Sequence, residues 1–215
     1  MRNFMNRIIQ YLSIVLLLSL YACSSSLTKK TAENLKSALN SELTASEKYA
    51  KFAQVAMSEG FDTLSQLFSA ASKSEKIHAA NHERMLHKYG GNSDNPEIAA
   101  YQVKTTKENL DAAIKSELFD MQSLYPGFIK TAEIETAPDG ATAFTWALNG
   151  DKRHLNFYRK AAASLTAGNE NGISYLWYVC PKCGNLYNPD DIKTLCEVCL
   201  EKQENFIGFA KEESK

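Results

Sequence analysis

The sequence predicts an all-α four-helix bundle with one long crossover, followed by a small metal-knuckle domain. Three observations predict it. Four stretches of roughly 28 residues, or about 42 Å each at 1.5 Å per residue, repeat apolar side chains at helical spacing. Carboxylates and histidines interrupt all four apolar stripes at one height, and two Cys-x-x-Cys pairs follow the last helix. The composition agrees. Of 215 residues, 44% are hydrophobic and 23% charged, as in globular proteins, and only 10 Gly and 5 Pro leave room for long helices. A net charge of -1 supplies no basic excess for phosphate, so nucleic acid is not an expected partner.

The chain begins with an address. Arg2 and Arg7 precede an apolar run from Ile8 to Leu20, and no charge falls between Arg7 and Lys29. The run has the length of a signal-peptide core and is short for a membrane span. It ends in Leu20-Tyr21-Ala22-Cys23 and three serines, which resembles the bacterial lipobox, with Tyr21 a bulky occupant of the middle position. Residues 1–22 are therefore expected to be a lipoprotein signal peptide, Cys23 the lipidated new N-terminus and residues 23–30 a tether. The expected location is exported and membrane-anchored, on the periplasmic or cell-surface side.

Residues 31–58 carry Leu35, Leu39, Tyr49, Phe52, Ala53 and Ala56 on one face. Gly60 ends that helix and Asp62 is expected to cap the next, which presents Leu64, Leu67, Phe68, Ala71, Met85, Leu86 and Tyr89 before Gly90-Gly91. A third helix opens on Thr105-x-x-Glu108, a capping box, and runs through Leu110, Ile114, Leu118, Leu124 and Phe128 to about Glu135. Pro138 and Gly140 mark the next turn, and a fourth helix runs to about Leu165. The connection over residues 90–104 can span about 50 Å when extended, enough to return along the bundle and join two hairpins.

Glu42 falls in register with Leu35, Leu39, Tyr49 and Phe52; Glu75 and His78 share the apolar face of the second helix. Glu117 and Asp120 interrupt the third, and Asp151 and His154 the fourth. A buried carboxylate without a partner is costly, so seven such groups need one another or a common cation. Glu42 with Glu75 or His78 is centred near the Gly60 turn, and Asp120 with His154 near the Pro138 turn, so all seven converge on one level. Glu42 and Glu75 are 33 residues apart, Glu117 and Asp151 34, each pair followed by His three residues on: a duplicated helical hairpin. Oxygen ligands with two imidazoles suit iron or manganese. Cys180, Cys183, Cys196 and Cys199 follow a C-x2-C-x12-C-x2-C pattern, which binds one tetrahedral metal, and the spacing leaves zinc and iron both open.

The order Glu, Glu-x-x-His, Glu, Asp-x-x-His resembles the ferritin-like di-iron bundles. With the rubredoxin-like knuckle behind it, the chain from residue 31 to about 209 resembles the rubrerythrin family, with a ferritin-like domain over 31–167 and a rubredoxin-like domain over 175–215. Ala32-Glu33-Asn34-Leu35, Tyr49 seven after Glu42, Lys107-Glu108-Asn109-Leu110 and Tyr125-Pro126 eight after Glu117 also fit. The resemblance implies two non-haem irons held by Glu42, Glu75, His78, Glu117, Asp120, Asp151 and His154, and one iron (or zinc) on the four cysteines. It implies that Tyr49 and Tyr125 hydrogen-bond iron carboxylates. The implied activity is reduction of hydrogen peroxide to water in oxidative-stress defence, within a homodimer or larger homo-oligomer. Electrons would pass through the tetrathiolate iron to the di-iron site of a partner subunit.

Asp120 and Asp151 replace family glutamates, about 1.5 Å longer. Asp120 stands where the family carboxylate trades places with the histidine after the second Glu as the irons change oxidation state. His82 and His87 match no ligand position and are expected at the surface; Trp177 is expected to pack the tail domain. Export separates the chain from reduced nicotinamide cofactors, so the donor would be an extracytoplasmic or membrane carrier, and exposed thiolates favour an anaerobic or microaerobic host. Two other functions fit the same residues: an iron-sequestering, ferroxidase-like protein with a structural zinc knuckle, and a redox sensor.

Overall fold

The computed structural model describes residues 28–170 and 172–210. The signal peptide, Cys23 and the tether as far as residue 27 lie outside the described residues. Among the described residues, no helix is long and apolar enough to cross a membrane.

Helices α1 (Lys29–Ser58) and α2 (Asp62–Lys88) form the first hairpin. At Gly60, φ is +82°, and Phe61 N donates to Ala56 O, a left-handed stop that a residue without Cβ adopts without strain. Asp62 is the first helical residue of α2, with Phe61 in the capping position, so the expected Asp62 cap is not formed. A more distant carboxylate does part of that work: Leu64 N donates to Glu170 Oε1 at 3.1 Å. The device recurs. Glu135 accepts from Lys30 N and Thr31 N at the start of α1, and Glu59 accepts from Thr106 N at the start of α3. Each carboxylate lies against the positive end of a helix and pairs with amides that have no partner within it.

The crossover runs beside α1. Glu97 N donates to Asn40 Oδ1, Ala99 N to Thr44 Oγ1, and the Tyr101 hydroxyl to Glu47, so three positions on one face of α1 seat the strap. Helix α3 (Thr106–Phe119) opens with the expected capping box between Thr105 and Glu108.

The third rod differs from the continuous helix expected. A π-helical turn, Asp120–Leu124, separates α3 from α4 (Tyr125–Ile134). Pro126 offers no N–H, and it stands in the first turn of α4, directly after a widened turn that carries the rod on. The extra residue shifts the phase by about 100°. The position one repeat beyond Glu117 would be Leu124; with the insertion it is Tyr125, which is buried while Leu124 is only half-buried. Helix α5 (Pro138–Thr166) closes the bundle.

The apolar core is in two parts. One cluster holds Tyr49, Phe52, Leu64, Phe68, Leu110, Phe157 and Tyr158; the other holds Leu35, Leu39, Leu86, Tyr125 and Phe144. The carboxylates and histidines lie in a polar belt between them.

The tail forms a three-stranded antiparallel sheet in the order β2 (Leu186–Tyr187), β1 (Leu176–Val179), β3 (Ile207–Ala210). Trp177 does more than pack the tail: its ring meets Phe157 of α5 edge-on at 4.7 Å, and Trp177, Val179 and Leu186 belong to the first bundle cluster. The knuckle is thus docked on the bundle of its own chain. Three side chains grip alternate carbonyls of one knuckle loop. Asn81 Nδ2 donates to Lys182 O at 2.9 Å, Ser74 Oγ to Gly184 O at 2.5 Å, and Arg153 Nε to Leu186 O at 2.8 Å.

Candidate metal centres

The belt draws one or two groups from each rod: Glu42 from α1, Glu75 and His78 from α2, Glu117 from α3, Asp120 from the π turn, Asp151 and His154 from α5. Six of the seven are buried; Asp120 is half-buried. Glu75 stands at the centre, with Oε2 2.8 Å from His78 Nδ1 and Oε1 3.2 Å from His154 Nδ1. His78 Nδ1 is also 3.6 Å from Glu42, and His154 Nδ1 3.6 Å from Glu117. Two ligand groups result, Glu42–Glu75–His78–Asp151 and Glu75–Glu117–Asp151–His154, each with its donor atoms within 4.8 Å of one another. They share Glu75 and Asp151, the pattern of two adjacent ions bridged by carboxylates. Despite its shorter side chain, Asp151 reaches both groups. Asp120 belongs to neither and stands at the edge of the belt.

Tyrosines brace the carboxylates. The Tyr49 hydroxyl donates to Glu117 Oε1 at 2.6 Å, and the Tyr125 hydroxyl donates to Glu42 Oε1. The Tyr158 hydroxyl is buried among the same groups without a hydrogen-bond partner. His82 corrects the sequence reading. It is wholly buried, its Nε2 3.2 Å from the Tyr125 hydroxyl and 3.7 Å from Glu42, and its ring lies 5.4 Å from Phe144. Four residues beyond His78 and seven beyond Glu75, it lies on the same stripe of α2, a signal that the absence of a ligand motif concealed. His87 is at the surface, beside Ser93.

Five carboxylates and three imidazoles between two apolar clusters are held together by protons when no cation is present. Burial pushes Asp120 up to about 8, helped by the charges of Glu117, Glu42 and Glu75, and raises Asp151 well above the carboxylate range for the same reasons. Burial would lower His78 and His154, yet the neighbouring Glu42 and Glu75 charges carry them up to about 9 and about 10. Burial would raise Glu42, but the charge and hydrogen bonds of His78, with His82 behind them, hold it well below its usual value. Asp151 Oδ2 has no hydrogen-bond partner, and His154 Nδ1 faces Glu75 and Glu117 without making one. Such a site fits divalent cations, which replace the protons.

A pH dependence follows. The folded, metal-free protein holds protons on Asp120, Asp151, His78 and His154 that the unfolded chain, titrating near 4 and 6.5, has released. Stability then falls as pH rises, across about pH 5 to 10. Chelator-treated protein should melt at a lower temperature at pH 9 than at pH 6, while metal-loaded protein should not; equal melting of the metal-free protein at both would refute the belt's proton load.

In the knuckle, Cys180 and Cys199 Sγ are 3.5 Å apart, as are Cys183 and Cys196. A tetrahedral ion with 2.3 Å metal–sulfur bonds sets its sulfurs about 3.8 Å apart, so four thiolates need little movement to bind one. The Tyr187 hydroxyl donates to Cys196 Sγ and accepts from Glu197 N. The two donor sets correspond to two non-haem irons in the bundle and one iron (or zinc) in the knuckle.

A family model described as Rubrerythrin matches residues 33–162. Nigerythrin of Nitratidesulfovibrio vulgaris is 26% identical over 191 residues, covering 89% of this chain and 92% of its own. Rubrerythrin of Clostridium perfringens is 31% identical over 186 residues, covering 84% of this chain and 94% of its own. The structure of nigerythrin in its fully reduced, all-ferrous state matches with a TM-score of 0.75 at 26% identity, covering 83% of this chain and 86% of that one. The chain belongs to the rubrerythrin family.

Proposed function

We propose that this di-iron oxidoreductase is a peroxidase that reduces hydrogen peroxide to water at the belt, tethered to a membrane through lipid on Cys23. When bound, the irons supply electrons to the reaction H2O2 + 2 H+ + 2 e− → 2 H2O, the bundle pair two at a time and the knuckle iron singly. The chain's own residues do the rest. Glu75 and Asp151, common to both ligand groups, would hold both ions, and Tyr49 and Tyr125 fix the Glu117 and Glu42 carboxylates in place. The two apolar clusters exclude bulk water above and below. His82 braces the Tyr125 hydroxyl from behind and so helps to orient it toward Glu42.

One observation carries the reading: a tetrathiolate site sits against the dinuclear site in the same chain. A Cβ added at Gly184, next to Cys183, would lie 2.5 Å from His78 Nε2. Storage alone has no use for that proximity. The donor is proposed to be a one-electron carrier outside the cytoplasm, and the assembly a homo-oligomer.

The test is iron stoichiometry with peroxide loss. The protein should bind about three metals per chain, take up no further ferrous iron and consume peroxide repeatedly when supplied with a reduced one-electron carrier. Accumulation of many irons per chain without peroxide turnover would identify a store instead. In the same cells, Cys23→Ala should leave the membrane fraction and lose labelling by a fatty-acid probe; a variant that stays labelled and membrane-bound would remove the anchor from the proposal.

A further inference from the structure

Solvent comes nearest the belt at Asp120. Six of the seven belt groups are buried, and Asp120, at the end of α3, is half-buried. Ser116 lies one turn before it on the same stripe of α3, and its hydroxyl accepts a hydrogen bond from Lys48 Nζ at 2.9 Å. The Lys48 ammonium also stands 5.0 Å from the centre of the Tyr49 ring, whose hydroxyl holds Glu117. Burial and the Glu117, Glu42 and Glu75 charges raise the Asp120 carboxyl, and Lys48 draws it back down, so its charge is felt at the edge of the belt. Lys48 is half-buried, and among the described residues no carboxylate forms an ion pair with it. Beside it lies a cavity of about 450 Å³ bounded by α1, the strap and α3, with Ser41, Thr44, Ala45, Lys48, Ile98 and Ser116 in its wall. Ser41 precedes Glu42 and Ser116 precedes Glu117, so the cavity backs onto the belt. It is open because Ser37, Ser41 and Ala45, all small, recur every four residues on the α1 side. Its other charge, Glu97, is exposed on the strap beside Asn40, about 12 Å along α1 from Lys48 at 1.5 Å per residue.

We infer that this cavity is the mouth of the belt and that Lys48 is its selectivity residue, passing neutral peroxide and holding back divalent cations in both directions. The inference rests on the peroxidase reading for the identity of the neutral molecule; the barrier to cations stands without it. A doubly charged ion that passes an uncancelled ammonium half removed from water meets Coulomb repulsion, and an uncharged molecule meets none. Serine and threonine hydroxyls along the rest of the wall both give and accept hydrogen bonds, which suits a small polar molecule. A belt behind such a mouth keeps its resident ions and refuses a stream of new ones. That property separates a catalyst from an iron store.

Cobalt(II) exchange tests the barrier. Metal-free protein is mixed with cobalt(II), and the weak visible bands of bundle cobalt are followed beside the intense thiolate–cobalt bands of the knuckle, an internal control. Release is followed after loaded protein is transferred into excess chelator. Lys48→Gln should speed bundle uptake and bundle release alike, about tenfold at low salt and less as salt screens the charge, with knuckle rates unchanged. Lys48→Arg, which keeps the charge, should retain the wild-type rates, as should Lys51→Gln, an exposed lysine of the same helix outside the cavity. Peroxide should oxidise the reduced, iron-loaded bundle equally fast in Lys48→Gln and wild type. A charge that only weakens the hold on bound ions would give faster uptake and slower release; that outcome, or unchanged exchange, overturns the barrier. Peroxide oxidation that changes as much as cation exchange overturns the selectivity. Wild-type protein that peroxide does not oxidise would remove the peroxidase reading, and the exchange rates would still decide the barrier.

Discussion

Cys180→Ser should leave the reduced protein able to consume about one peroxide per chain and then stop. In the proposed reaction the pre-reduced bundle pair would hold the two electrons one peroxide needs, and none of the bundle's candidate ligands comes from the knuckle. Cys180 Sγ is one of four sulfurs around a single position, 3.5 Å from Cys199, and a serine hydroxyl is a harder and weaker ligand for a site built on thiolates. The expected loss is in sustained turnover with a one-electron donor, on the order of 100-fold or more, because the groups act as a unit and removing the relay removes every cycle after the first. Stopped-flow and steady-state assays on the same preparation check it. Undiminished steady-state turnover would mean that electrons reach the bundle by another route.

Glu75→Ala should empty the bundle, and Glu42→Ala should empty half of it. Glu75 addresses both histidines and belongs to both ligand groups, whereas Glu42 belongs to one. Metal content should fall from about three per chain to about one in the first variant and about two in the second, the knuckle metal surviving in both. Elemental analysis after gel filtration decides this. Equal losses would show that the two positions are not shared as the geometry has them.

The four rods, their turns and the level of the belt could be read from the sequence because each depends on a periodic pattern or a single stop such as Gly60. The cysteine spacing announced the knuckle in the same way. What escaped depended on phase and on backbone. Pro126 hints at disturbance, but nothing in the residue order says that a widened turn will precede it and bring Tyr125 inward in place of Leu124. His82 lies on the right stripe but completes no ligand motif, and its burial beside Tyr125 gives it a place at the belt. Tail docking is least legible of all. Ser74, Asn81 and Arg153 seize main-chain carbonyls, which every residue possesses, so no spacing marks them.

The division of the apolar core in two has a consequence for how the molecule opens. Most helical bundles fray from their ends, where few contacts hold the last turns. Here both ends are packed with Phe, Leu and Tyr, and carboxylates from distant turns cap the starts of α1, α2 and α3. The weak zone of the metal-free protein is its waist, where buried carboxylates and imidazoles rely on protons in place of ions. Amide hydrogen exchange without metal should therefore be fastest around Glu75 and Asp151 and slowest toward the two poles. Ions would then enter through a loosened middle, and their arrival would fasten the one girdle the polypeptide leaves slack.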